Sequence, residues 1–189
     1  ILNIYLNINI LIYICEMILS GDSNFNELDI KLYKSLKYSD EFTFIPIKIY
    51  NKKLLNLIIQ TPLLFTPYGI QKTKNNKDII DLSFQNKKND KYVEKLLNNL
   101  KYLYNLIKKR YKNKYKINNF LKNTDFDECI RLKVSKDVLL FDDNKNNINI
   151  INNYSYGNFI ICLEGLWLNN NDIWFQWILL QSRIRIPVY

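Results

Sequence analysis

The chain has 189 residues, a formal net charge of +9 and no histidine. One domain with a substantial core is the expected size, and triads, general bases and metal sites built on imidazole are excluded. The excess of lysine favours an anionic partner such as nucleic acid, although the abundance of Asn, Ile, Lys and Tyr and the rarity of Gly follow an AT-rich coding bias that raises lysine regardless of function.

Residues 1–16 read as an upstream extension, with the native start expected at Met17 and a single domain over 17–189 whose core spans about 42–186. Ile1 to Ile14 is uncharged, but Asn interrupts it and it is short, so stable membrane insertion is not expected. It also lacks the charged start and small-residue cleavage site of a signal peptide. Leu28, Leu32 and Leu36 recur at a spacing of four and suggest a short helix over 26–36. Phe42 to Tyr50 is strand-like, with Pro46 placing it at an edge or a bulge. Asn51 to Lys53 makes a turn and Leu54 to Gln60 returns.

Pro62 and Pro67 forbid a helix across the next stretch. Gly69, one of only four glycines, marks a place that needs positive φ or close backbone approach. Lys72 to Lys77 reads as a basic loop and Asp78 to Phe84 as a strand. The clearest helix runs from Asn89 to about Tyr115, capped by Asp90 or Asn89. Its apolar stripe is Val93, Leu96, Leu97, Leu100, Leu103, Tyr104, Ile107 and Tyr111. Residues 117–126 read as a loop or short helix. Glu128 to Val134 alternates, with Ile130, Leu132 and Val134 on one side and Arg131 and Lys133 on the other. Val138 to Phe141 is extended, and 142–153 is an Asn-rich loop.

The chain closes with a hairpin in which Phe159 to Leu168 and Ile173 to Ile186 flank a turn of Asn and Asp, residue types that tolerate left-handed backbone. Strict alternation sorts the second run into an even set (Trp174, Gln176, Ile178, Leu180, Ser182, Ile184, Ile186) expected to face the core. The odd set (Phe175, Trp177, Leu179, Gln181, Arg183, Arg185) puts aromatics beside arginines, as a surface that stacks bases and binds phosphates requires. The same aromatics also suit the core of a sheet covered on both sides. In all, about seven strands and one long amphipathic helix give an α+β, mainly β class.

The candidate nucleic-acid-binding residues are Phe175 and Trp177 for stacking, with Arg183, Arg185, Arg131 and Lys133 for phosphate. Lys108, Lys109 and Arg110 form a second basic patch, which equally suits a solvated helix C-terminus. Three cysteines at 15, 129 and 162 have neither zinc spacing nor a self-contained disulfide framework, so a reducing, intracellular compartment is expected. The carboxylates at Asp142-Asp143 and at Asp125, Asp127 and Glu128 are of a type that could hold a hard cation such as magnesium, but no motif for nuclease or phosphoryl-transfer chemistry accompanies them, and solvated acidic loops account for them equally well. No catalytic residue, resident metal or cofactor is expected.

Two stretches carry a resemblance. One is Ile59-Gln-Thr-Pro-Leu-Leu-Phe-Thr-Pro-Tyr-Gly-Ile70, and the other is Leu163-Glu-Gly-Leu-Trp-Leu168 followed by Trp177-Ile-Leu-Leu-Gln181. Together they resemble a family of small proteins from nucleocytoplasmic large DNA viruses, over roughly residues 42–186. Some members look like the single-stranded-DNA-binding proteins of tailed phages, which use an oligonucleotide-binding barrel, so the resemblance implies an OB-like partly open barrel, the alternative being a twisted antiparallel sheet with one long amphipathic helix. The resemblance implies a single-stranded nucleic-acid partner, together with viral replication or virion proteins, in host cytoplasm, viral factory or nucleus. The alternative is a virion-associated structural or interaction protein without nucleic-acid specificity. The acidic tail of such phage proteins has no counterpart in the end of this chain, Arg183 to Tyr189. Nothing in the sequence sets the oligomeric state.

Overall fold

The computed structural model describes residues 17–185, so the readings made on residues 1–16 and on Ile186 lie outside the described residues. The chain forms strands β1 (Ile18–Ser20), β2 (Ile30–Leu32), β3 (Leu36–Lys37), β4 (Phe42–Asn51), β5 (Lys53–Gln60), β6 (Leu64–Thr66), β7 (Ile70–Lys72) and β8 (Asp78–Ser83). Helix α1 (Lys91–Tyr111) follows, then β9 (Lys116–Ile117), β10 (Leu121–Thr124), β11 (Asp127–Asp142), β12 (Ser155–Asn169) and β13 (Asp172–Arg185). The class is α+β, mainly β.

β12 is the spine. One edge pairs with β13 from Tyr156↔Arg185 to Asn169↔Asp172. Its other edge serves three strands in succession: β6 at 155–157, β5 at 160–163 and β4 at 165–169. β6 pairs with β8, β8 with β11, and β11 with β13, which closes a five-strand ring. Every pairing in the ring is antiparallel except β11 with β13. In chain order the ring reads first, second, third, fifth, fourth, the Greek-key order of an OB-like barrel.

Two bulges decide which side chains face inward. Glu164 is the extra residue between the pairs Leu163↔Trp177 and Gly165↔Gln176. Leu180 is the extra residue between Ile161↔Leu179 and Ile160↔Gln181. An unpaired extra residue reverses the alternation beyond it. Ile173, Phe175, Trp177 and Leu179 therefore face the core, and past Leu180 the inward positions become even, with Ile184 in the core. The expected sorting of β13 into an even core face and an odd surface face is thus corrected: the odd set is inward over the aromatic half and outward only over Arg183 and Arg185.

Pro46 stands opposite Gly165 beside the Glu164 bulge, where β4 gives way to β5 along β12. The approach is so close that a Cβ on Gly165 would lie 2.3 Å from the Ile45 carbonyl oxygen. Asp90 caps α1, accepting from the amides of Tyr92 (2.8 Å) and Val93 (3.3 Å). The helix buries its leucine stripe in the same core as the strands. It ends at Tyr111, earlier than expected. The helix expected over 26–36 is absent: a 3-10 turn at Phe25–Glu27 leads into β2 and β3, because the open edge of β4 offers ladder hydrogen bonds that override local spacing. Within 117–126, expected as loop or short helix, Ile117 and Leu121–Thr124 pair in β9 and β10 and the rest is loop or turn. No helix among the described residues is long and apolar enough to cross a membrane.

Candidate nucleic-acid interface

Three loops converge on the outer face of the ring, and each brings one ring system. Tyr68 comes from the loop after β6, Phe126 from the β10–β11 turn, and Tyr154 from the approach to β12. Beneath them lie Phe65 of β6 and Tyr156 of β12, directly opposite one another in register with centroids 4.9 Å apart. Phe126 meets Tyr68 edge-on at 5.6 Å and Tyr154 at 6.1 Å. Tyr154 is 57% exposed, while Tyr68, Phe126 and Tyr156 are half-buried.

The Thr-Pro segment builds this platform. Thr61 Oγ1 accepts from the Phe159 amide at 3.0 Å, and Thr66 Oγ1 accepts from the Gly69 amide at 3.1 Å. Gly69 has φ +61°, and a Cβ there would lie 2.2 Å from the Ile151 carbonyl oxygen, so only glycine lets the Tyr68 and Tyr154 loops approach. Both needs expected of Gly69, positive φ and close approach, are met. The Tyr154 amide donates to the Pro67 carbonyl at 3.2 Å.

Phe126 is set by charge. Asp127, in left-handed conformation at φ +69°, binds Lys87 Nζ at 2.6 Å. Glu128 binds Lys87 and Lys101, each at 3.0 Å. Lys87 holds the Asp127 carboxyl below its usual range. Burial works against the charged form of Glu128, yet the hydrogen bonds from Lys101 and Lys87 bring it below its usual range as well. These carboxylates, one of the two clusters considered for a hard cation, are occupied by lysines. In the other cluster Asp142 accepts from the backbone and side-chain amides of Asn146 at 2.8 and 2.9 Å. Among the described residues no group of three potential ligands is placed to hold a metal ion.

Arg131 and Lys133 project outward from β11, as their alternation requires, and both are exposed. Arg131 stands opposite Asp81 of β8, donating from Nε at 2.8 Å and from Nη2 at 2.7 Å. Asp81 is itself buried. Burial and the nearby Asp125, Cys129 and Asp81 push the Tyr68 phenol above its usual value, which keeps it a neutral donor. Arg185 is exposed directly across from Tyr156, and half-buried Arg183 reaches Asp143 at 3.4 Å.

The structure separates the remaining candidates from this face. Trp177 is 2% exposed and packs on Phe120, with ring centroids 5.6 Å apart. Phe175 stacks inward against Phe120 and Tyr104. Their expected place beside Arg183 and Arg185 is corrected by the Leu180 bulge, which puts the arginines on the opposite face of β13. Lys108, Lys109 and Arg110 are exposed on the last turn of α1, which packs on the core side of the sheet. The four exposed or half-buried rings of the platform were missed. They sit in or beside loops far apart in sequence, and only the Pro67-Tyr68-Gly69 motif pointed to one of them.

A second aromatic cluster lies on the outer face near the β12–β13 turn. Trp167 contacts Phe44 of β4 at 4.8 Å and Tyr38 at 5.0 Å, and Trp174 stands opposite it in register. The Trp167 indole donates to Gln176, whose amide donates to Glu164 at 2.6 Å.

The chain matches no family model and no curated protein. Among solved structures it is similar to the single-stranded DNA-binding protein from bacteriophage Enc34 in complex with ssDNA, at 13% identity and a TM-score of 0.51, over 84% of this chain and 97% of that one. It shares the fold of a phage single-stranded DNA-binding protein. Two further structures of the phage protein align similarly. One is a C-terminal truncation (13% identity, 87% of this chain, 98% of that one, TM-score 0.49). The other is the single-stranded DNA-binding protein from bacteriophage Enc34 (15%, 84% and 92%, TM-score 0.49). The likeness to the phage protein is one of fold and spans nearly its whole length.

Proposed function

We propose that this chain binds single-stranded nucleic acid on the outer face of its barrel, without enzymatic chemistry. The observation that carries the reading is the meeting of Tyr68, Phe126, Tyr154 and Tyr156 with Arg131, Lys133 and Arg185 around one surface. Unpaired bases stack on the rings, each worth about 1–3 kcal/mol, and Lys133 and Arg185 track the backbone. The strand two–three face, here β8 and β11, is where OB folds take oligonucleotides. The net charge of +9 draws the polyanion to the surface. Lys108, Lys109 and Arg110 on α1 add a second, longer-range attraction.

The resemblance carried by the Thr-Pro segment and the closing hairpin supports a role in DNA replication of a large DNA virus, inside a reducing compartment. The rings around Trp167 favour a second reading, a surface for a viral replication or virion protein.

The test is a fluorescence titration with labelled oligo(dT) and the matching duplex across a salt series. Tight binding that prefers the single strand, with a slope equivalent to several displaced counterions, is the expected result. Equal and weak binding to both, erased by moderate salt, would mean that the positive charge acts without a site.

A further inference from the structure

We infer that Arg131 contacts a nucleobase rather than a phosphate, and that buried Asp81 positions it to do so. The inference rests on the proposed single-strand binding and assigns a role within that surface. Asp81 is 4% exposed, and the Arg131 side chain is 44% exposed. The two parallel hydrogen bonds, 2.8 Å from Nε and 2.7 Å from Nη2, use the side edge of the guanidinium and fix its plane. Register keeps the two together: Arg131 and Asp81 are direct cross-strand partners on β11 and β8, so the ladder holds their Cβ atoms side by side.

Two consequences follow. First, the charge is spent locally. A carboxylate in contact along one edge makes the pair neutral at the distances that matter for counterion release, so Arg131 adds little to a salt-dependent phosphate contact. Lys133 and Arg185, exposed on the same face, have no such partner in the ladder positions opposite them, which are Ile79, Ile178 and Tyr156. Second, what Arg131 turns away from Asp81 is a flat guanidinium face and its end-on edge, Nη1 with the second Nη2 proton. A pinned planar cation of this kind stacks on a base and donates to acceptor edges of the base. Tyr68 lies close enough for its phenol and the Arg131 guanidinium to influence one another, so the base bound there also meets the aromatic platform.

The experiment measures oligonucleotide affinity in a salt series for the full chain and for Arg131→Ala, Lys133→Ala and Arg185→Ala. It repeats each titration with an oligonucleotide carrying abasic sites. Arg131→Ala is expected to weaken binding about tenfold, and this deficit is expected to vanish on the abasic strand. Lys133→Ala and Arg185→Ala are each expected to lower the slope by about 0.7, with the deficit kept on the abasic strand. Because Arg131→Ala strands a buried carboxylate and can unfold the barrel, the double variant Asp81→Asn with Arg131→Gln is measured beside it. That pair carries no net charge before or after, so its slope is expected to stay at the wild-type value while affinity falls. A reduced slope in the double variant, a deficit that persists on abasic DNA, or unchanged affinity in both variants would overturn the assignment. Failure of the wild-type chain to bind any single strand would instead remove the functional reading beneath it.

Discussion

The two exposed aromatic clusters of this molecule lie on outer faces of the same sheet, yet their surroundings differ. Around Tyr68, Phe126, Tyr154 and Tyr156 the neighbouring outward positions carry Arg131, Lys133 and Arg185. Around Trp167 and Trp174 the polar neighbours are Gln176 and Glu164, and nearby Lys37 is bound to Asp40 at 2.6 Å. The first cluster rests on loops locked by a glycine and by lysine–carboxylate pairs, and the second rests on the paired strands β4, β12 and β13. Exposed rings alone do not define a nucleic-acid surface. Stacking is tolerant of sequence, and it is cations interleaved with the rings that hold the backbone.

Several substitutions would break or sharpen this contrast. The largest effect belongs to Trp177, on the reverse side of the hairpin from Trp174. Trp177→Ala should cost about 3–5 kcal/mol in urea unfolding, with the affinity of the protein that remains folded unchanged. Its indole Nε1 is buried without a hydrogen-bond partner among the described residues, so Trp177→Phe should be tolerated far better. Gly69→Ala comes next: a left-handed backbone and the clash with the Ile151 carbonyl should cost about 3 kcal/mol, and single-strand binding should fall with the separated Tyr68 and Tyr154 loops.

Tyr154→Ala and Trp174→Ala are the matched pair, at 57% and 40% exposure. The first should weaken oligo(dT) binding by about 1–3 kcal/mol and the second should leave it unchanged. Equal losses in both would extend the binding surface to the hairpin tip and erase the contrast.

The smallest effect concerns pH. Lys87 depresses the Asp127 carboxyl, so this contribution to stability is present above the unfolded carboxylate value and is lost as pH falls through the folded one. Stability should be flat through neutrality. In acid unfolding the wild-type chain should lose its advantage over Asp127→Asn, by less than about 1 kcal/mol for a pair this exposed. A constant gap between the two across the acid range would show that Lys87 does not anchor the Phe126 turn.

Local chemistry made much of the fold legible. The apolar stripe from Val93 to Ile107 and the Asp90 cap specify the helix, the Asn-rich turn specifies the closing hairpin, and Pro46 marks the place where β4 changes partners. The alternation over 130–134 put Arg131 and Lys133 outward, because strand side chains keep a period of two wherever the ladder is regular. The loss of that regularity is what local reading could not see. Leu180 and Glu164 are bulged by their partners across the ladder, and nothing in their own neighbours announces it. One extra residue was enough to carry Trp177 into the core and to move Arg183 and Arg185 to the other face. The aromatic platform was likewise hidden, since Tyr68, Phe126 and Tyr154 are separated by long stretches of chain and meet only when the ring closes. Short-range sterics and periodicity in the sequence set the mainly β class, the long helix, the closing hairpin and the left-handed requirement at Gly69. Tertiary structure alone decided which rings face solvent and which cations stand beside them, because both depend on ladder register between strands distant in the chain.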